Sequence, residues 1–217
     1  MNSSMIPDGY GDIHAGIVAV LEDARRAAAR SVNALMTASY WEIGRRIVEA
    51  EQGGQERAGY GERLIQHLAD DLTARFGRGF SRQNLQQMRL FYACWPTGQI
   101  CQTPSGNLSR IDYAEATAPD LATLARRFPL PWSAYVRLLS VKNPQVRAFY
   151  ETEALHGGWS VRQLDRQINS QFYERLALSH NKVAMLEKAG QAEPGDKSSP
   201  EEAVKDPFVL EFLNLKA

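Results

Sequence analysis

The chain has 217 residues, 44% of them hydrophobic, and its 25 basic and 25 acidic side chains cancel to a formal charge of zero. Such a chain buries one ordinary core or two small ones. Its neutrality excludes a protein that coats nucleic acid through general basicity, so contact with an anionic partner falls to local patches. Cys94 and Cys101 have no histidine near them and suggest neither a zinc ligand set nor a disulfide framework. The start, MNSSMIPDGYGD, is neither basic nor apolar, and no stretch approaches the roughly 18 apolar residues of a membrane span, so a cytoplasmic protein without membrane contact is expected.

Residues 12–52 predict one long helix, with Ile13, Ile17, Leu21, Ala24, Ala28, Val32, Leu35, Ile43 and Ile47 as its apolar stripe, ending at Gly53-Gly54. A second face carries Arg25, Arg26, Arg30, Arg45 and Arg46. About 40 helical residues reach about 60 Å, more than one compact domain needs. Packing along several helices or against a second copy in a homo-oligomer are the two uses for that length.

Residues 63–76 place Leu64, Ile65, Leu68, Leu72 and Phe76 at helical spacing, followed by a turn, Gly77-Arg78-Gly79-Phe80, and a second helix. Ser81 suits its N-cap, and Leu85, Met88, Phe91, Tyr92 and Trp95 its buried side. Arg82, Gln83, Gln86, Gln87 and Arg89 are left outside. At a duplex, arginine bonds guanine edges or phosphates, and asparagine or glutamine bonds adenine. The same residues also suit any solvated helix face, so composition leaves both readings open. The pattern Gly79-Phe80-Ser81 with Leu85 recurs as Gly158-Trp159-Ser160 with Leu164. Duplication explains the echo, and so does a repeated hydrophobic staple around a serine cap, with Gln163 placed to complete a capping box.

Residues 96–120 hold Pro96, Gly98, Pro104, Ser105, Gly106 and Pro119 with little periodicity and read as a linker or mobile loop. A short helix over 132–141, a break at Asn143-Pro144, a helix to about Leu155 and a longer one over 160–179 follow, the last with Leu164, Ile168, Phe172 and Leu176 inward. Residues 121–150 carry Arg126, Arg127, Arg137, Lys142 and Arg147 with no acidic residue, either a phosphate-binding patch or ordinary surface variation. Residues 191–205 are polar and rich in breakers, a second linker, and 206–217 turn apolar again as DPFVLEFLNLKA. This last segment either leads to a partner or further chain, or folds back on the bundle. With no strand alternation, the fold class is all-α, a multi-helix bundle with one or two helix-turn-helix-like units. Its expected divisions are 12–95, linker 96–120, 121–190, linker 191–205 and the tail.

Catalytic groupings are absent from the sequence pattern. His14, His67, His156 and His180 are scattered, and Asp70-Asp71 occupy adjacent helix positions that point apart. No phosphate-binding loop, dinucleotide fingerprint, zinc helix or serine elbow occurs. No Asp or Glu is followed two positions later by Lys, the pairing a restriction-type metal nuclease uses. No cofactor is expected.

YWEIGR at 40–45, GRGFSRQNLQQMRLFY at 77–92, RAFY at 147–150, GWSVRQLDRQI at 158–168 and YERLAL at 173–178 together resemble the amino-terminal region of the YhcG-type nuclease family. The resemblance runs from about Ile13 to Leu215 in motif order. It implies a helical region that binds DNA through a helix-turn-helix, joined to a carboxy-terminal nuclease of the PD-(D/E)XK superfamily. The DPFVLEFL segment would lead into that nuclease, which is then lost, cut away or encoded as a separate domain or subunit. A noncatalytic DNA-binding or targeting module is therefore expected, the alternative being an interaction and oligomerisation scaffold that docks a partner through its carboxy-terminal segment. On the first reading Arg82, Gln83, Asn84, Gln86 and Arg89 face the groove with Gln87 beside them, and Arg78, Arg126, Arg127, Arg137 and Lys142 touch phosphates.

Overall fold

A computed structural model describes residues 9–53, 60–96, 119–179, 181–191 and 209. The described residues contain α-helices and no strand, as expected: α1 Tyr10–Gly53, α2 Tyr60–Phe76, α3 Arg82–Cys94, α4 Leu121–Arg127, α5 Trp132–Leu139, α6 Pro144–His156, α7 Val161–Asn169, α8 Phe172–Leu178 and α9 Lys182–Gly190. A 3₁₀ turn, Arg78–Phe80, joins α2 to α3.

The expected long helix forms without interruption over 44 residues, and its expected stripe is split: Ile47 is buried and Val32 and Ile43 pack against the core, but the amino-terminal members and Leu35 are not covered. Asn33, Met36, Thr37, Tyr40, Trp41 and Ile47 are buried, whereas Ile13, Ile17, Leu21 and Leu35 are exposed. The core side combines large rings, Tyr40 and Trp41, with one point of close approach. A Cβ on Gly44 would meet the Met88 carbonyl oxygen at 2.0 Å, so the bare backbone there lets α3 lie directly on α1. Thr37 satisfies its buried hydroxyl on the Leu130 carbonyl at 3.3 Å, and the Trp41 indole donates to the Trp95 carbonyl at 2.8 Å.

Aromatic rings fill the space between α1, α3, α4 and α5. Phe91 is central, its ring centre 4.9 Å from those of Phe128 and Tyr135, 5.1 Å from Trp95 and 5.4 Å from Trp132. These contacts place residues on either side of the 96–120 segment in one buried cluster. Glu151 on α6 enters its edge and accepts from the Trp95 indole at 2.8 Å, from Arg127 at 2.8 Å and from the Tyr135 hydroxyl at 3.4 Å. Burial, with the Glu151 charge beside it, holds the Tyr135 phenol well above its usual pKa.

The carboxy-terminal half is more divided than the sequence predicts. Helix α4 forms where none is expected, its first turn capped by the Asp120 carboxylate accepting from the Thr123 amide. The helix expected over 160–179 breaks at Gln171, which sits in the left-handed region at φ 51°. The Tyr150 hydroxyl occupies the break, donating to the Gln167 carbonyl and accepting from the Tyr173 amide. Leu164, Phe172 and Leu176 nevertheless stay buried. The expected linkers 96–120 and 191–205 and the tail 206–217 lie outside the described residues, except for Pro96, residues 119–120, Gln191 and Val209. Val209 is 2% exposed within the main cluster, so at this residue the tail packs on its own chain.

Gly44→Ala tests the α1–α3 approach. An unobstructed helix gains about 1 kcal/mol from this change, whereas overpacking here is expected to cost about 1–3 kcal/mol. A urea midpoint below that of the parent chain is the expected result, and a midpoint at or above it contradicts the approach.

Candidate nucleic-acid interface

The unit formed by α2, its turn and α3 is fixed by local chemistry. Gly77 takes φ 93°, a conformation that favours glycine, and ends α2. The Phe80 ring lies 5.8 Å from Phe76 and 6.4 Å from Tyr40, which seats the turn against α1. The Ser81 hydroxyl accepts from the Asn84 amide at 3.3 Å, the expected N-cap. Leu85, Met88, Phe91 and Trp95 are buried and Tyr92 is half-buried, also as expected.

Asn84 corrects the expected reading face. It is 6% exposed, not groove-facing. Its side-chain amide donates to the Gly79 carbonyl at 2.5 Å, and its side-chain oxygen accepts from the Trp132 indole at 2.9 Å. A residue so enclosed joins the turn to α5 and has no free edge for a base.

Arg82, Gln83, Gln86 and Arg89 are brought together on the exposed face of α3, with Gln87 half-buried beside them. Both cations have acidic neighbours. Arg82 lies 3.4 Å from the Glu62 carboxylate on α2, and Arg89 lies 2.7 Å from that of Glu51 on α1. Beside Arg89 runs a shallow groove of about 440 Å³, lined by Val48, Glu51, Gln86, Arg89, Leu90 and Ala93. Glu51, Glu62 and the exposed Leu90 are the members of this site that sequence reasoning misses. Their partners lie on other helices, and helical spacing alone signals only Leu90, between the buried and polar faces of α3.

The expected phosphate contacts do not join this face as one set. Arg127 turns inward to the buried Glu151, and Arg137 lies between α5 and α7, paired with Asp165 and bonded to Asn169. Arg126 bonds Thr123 on its own helix, Lys142 is exposed after α5, and the Arg78 side chain lies outside the described residues. An unexpected basic concavity of about 360 Å³ gathers Arg166, Arg175 and Lys188 around Ser170, with no carboxylate among its described lining residues. At the echoed cap, Ser160 accepts from the Gln163 amide at 3.2 Å, as a serine N-cap should. The Gln163 side-chain amide also donates to the Ala189 carbonyl on α9 at 2.7 Å. Among the described residues no group of three or more His, Cys, Asp or Glu side chains is placed to hold a metal ion, and no helix is long and apolar enough to cross a membrane.

The fold and this face define an all-α module built around two helices joined by a capped turn. Residues 16–175 match the family described as DUF1016 N-terminal domain, and the chain belongs to that family. It is 54% identical over 215 residues to the protein named Putative nuclease YhcG of Escherichia coli (strain K12), in an alignment covering 96% of this chain and 57% of that protein. The chain thus spans little more than half of that relative's length, and it forms the amino-terminal part of the family, as the motif resemblance implies. No solved structure matches it.

Asn84→Ala would leave the Trp132 indole and the Gly79 carbonyl without this partner. A loss of about 1–3 kcal/mol is expected, seen as a lowered melting temperature of roughly 2–4 °C per kcal/mol for a chain of this size. Gln83→Ala, on the exposed face of the same helix, should stay within about 0.5 kcal/mol of the parent. Equal melting of both variants would contradict the buried position of Asn84.

Proposed function

We propose that this chain is the DNA-binding or targeting region of a nuclease of the YhcG kind, and that it reads duplex DNA with the outer face of α3. The observation that carries the reading is the convergence of Arg82, Gln83, Gln86 and Arg89 on one exposed helix face behind a capped turn. These are side chains that bond base edges and phosphates, on a helix of a size that a major groove admits. The relative from Escherichia coli is named as a nuclease, which supports a nucleic-acid partner. The ion pairs of Arg82 and Arg89 do not oppose the reading, because exposed pairs contribute only about 0–1 kcal/mol and phosphate can replace the carboxylate.

The chain itself is a noncatalytic module in this reading. Hydrolysis belongs to a further nuclease domain or a separate subunit, since the acid-x-Lys pairing is missing from this sequence.

Fluorescence anisotropy with a labelled duplex over a salt series tests the face. Affinity should fall steeply with salt, and Arg82→Ala combined with Arg89→Ala should weaken binding at least tenfold and reduce the log–log salt slope by about 2. Glu51→Gln combined with Glu62→Gln should strengthen binding by freeing the same cations. Unchanged binding in the double arginine variant would reject this face, and magnesium-dependent cleavage by the purified chain would reject the noncatalytic assignment.

A further inference from the structure

The amino-terminal half of α1 presents an apolar face that the body of the chain leaves uncovered. Tyr10, Ile13, Ile17, Val20 and Leu21 are 51, 65, 55, 67 and 54% exposed. Isolated exposed apolar residues are ordinary, but five within twelve positions on one helix form a surface. Tyr10, Ile13, Ile17, Val20, Ala24 and Ala27 follow one another at alternating steps of three and four, the a and d positions of a heptad repeat. Leu21 and Ala28 widen this seam along one side.

Helix geometry places the seam away from the body. Ile17 and Gly44 are about seven and a half turns apart and therefore on opposite sides of α1, and Gly44 is the residue pressed against Met88. Leu35 is about five turns from Ile17, on the seam side, and is 44% exposed although Met36 and Thr37 next to it are buried. The packing that buries the carboxy-terminal half of α1 uses the other side of the helix.

We infer that the seam is a self-association surface, occupied by α1 of a second copy running antiparallel. The order of side chains along it selects both the occupant and the direction. Large residues, Tyr10, Ile13 and Ile17, stand at the tip, and small ones, Ala24 and Ala27, stand toward the body. An antiparallel pair sets Tyr10 against the partner's Ala27, Ile13 against the partner's Ala24, and Ile17 against the partner's Val20, so each layer of the seam joins an a position to a d position. Large then meets small in the outer layers, as close packing of two helices requires. A parallel pair would stack tyrosine on tyrosine at one end and leave alanine facing alanine at the other. The contact is two-fold and self-complementary, so it closes as a dimer and does not propagate. Eighteen residues span about 27 Å, which puts the interface at the small end of stable ones, so the dimer is weak and reversible. The inference is independent of the DNA reading, since it uses neither α3 nor its cations.

Sedimentation velocity of the whole chain from about 1 to about 100 µM should show a reversible monomer–dimer transition across that range. Ile17→Glu combined with Val20→Glu should give a monomer throughout, with a melting temperature unchanged from the parent at the dilute end of that range, where the parent is also monomeric, because both side chains are exposed in the single chain. In a Cys94→Ser, Cys101→Ser background, Ile13→Cys and Ala24→Cys chains should cross-link when mixed and oxidised, and neither should cross-link alone. A parent chain that stays monomeric at the highest concentration, or a double glutamate variant that still dimerises, would overturn the surface. Self-linking of the Ile13→Cys chain in place of the mixed product would overturn the antiparallel register.

Discussion

Glu151 is a carboxylate at 6% exposure among aromatic rings, and a charge so placed has to be met by donors or it destabilises everything around it. The donors come from three other helices: the Trp95 indole at the end of α3, Arg127 at the end of α4 and the Tyr135 hydroxyl on α5. Arg147, one turn before Glu151 on α6, stacks over the Trp95 ring at 4.9 Å and returns a hydrogen bond to the Val141 carbonyl. A pair of this kind adds little over a well-packed apolar core, yet breaking it from one side costs about 3–5 kcal/mol. Its effect is therefore on arrangement: any packing of α3, α4, α5 and α6 that separates Glu151 from its donors is penalised.

That constraint reaches the exposed face of α3 through two further bonds. Trp95 gives its indole to Glu151 and its carbonyl to Trp41, so the carboxy-terminal end of α3 is tied to α6 and α1 at one residue. The amino-terminal end is tied through Asn84 to the turn and to Trp132 on α5. Between these ends Gly44 leaves out a side chain that would hold α1 off. With both ends and the middle fixed, the polar face of α3 is presented by a rigid scaffold, the condition under which a row of side chains keeps a set geometry.

The parts of this arrangement that are legible in the sequence are those whose causes lie within one or two turns. The Ser81 and Ser160 caps, the Gly77 turn and the inward run Leu85, Met88, Phe91 and Trp95 each follow from neighbours three or four positions away. The parts that are not legible have causes far along the chain. Asn84 has the residue type of a surface reader, and its inward position is decided by Trp132, 48 residues later. Glu51 lies 38 residues before Arg89 and Glu62 lies 20 before Arg82, so no local pattern announces either pair. Gln171 breaks a helix without glycine or proline, because the Tyr150 hydroxyl takes over the backbone groups there. On α1 the periodicity misleads in part: the amino-terminal members of the apolar stripe and Leu35 face away from the core, while the core side mixes Met36, Tyr40 and Trp41 with Gly44, Thr37 and Asn33, which hydropathy does not distinguish.

The acidic neighbours of Arg82 and Arg89 also shape how the α3 face would meet DNA. A guanidinium beside a carboxylate has almost no field beyond about a Debye length, roughly 8 Å at physiological salt, so the pairs give the proposed face no long-range attraction. They still leave donor groups in place for close contact. A face of this type would not draw a duplex from solution but would exchange carboxylate for phosphate or base once the duplex is already near. Glu51 sits on α1 and Glu62 on α2, so the strength of that exchange is governed by helices that do not themselves carry the polar face. In this chain, whose net charge is zero, the proposed reading therefore gives the α3 face discrimination at short range and not capture from a distance.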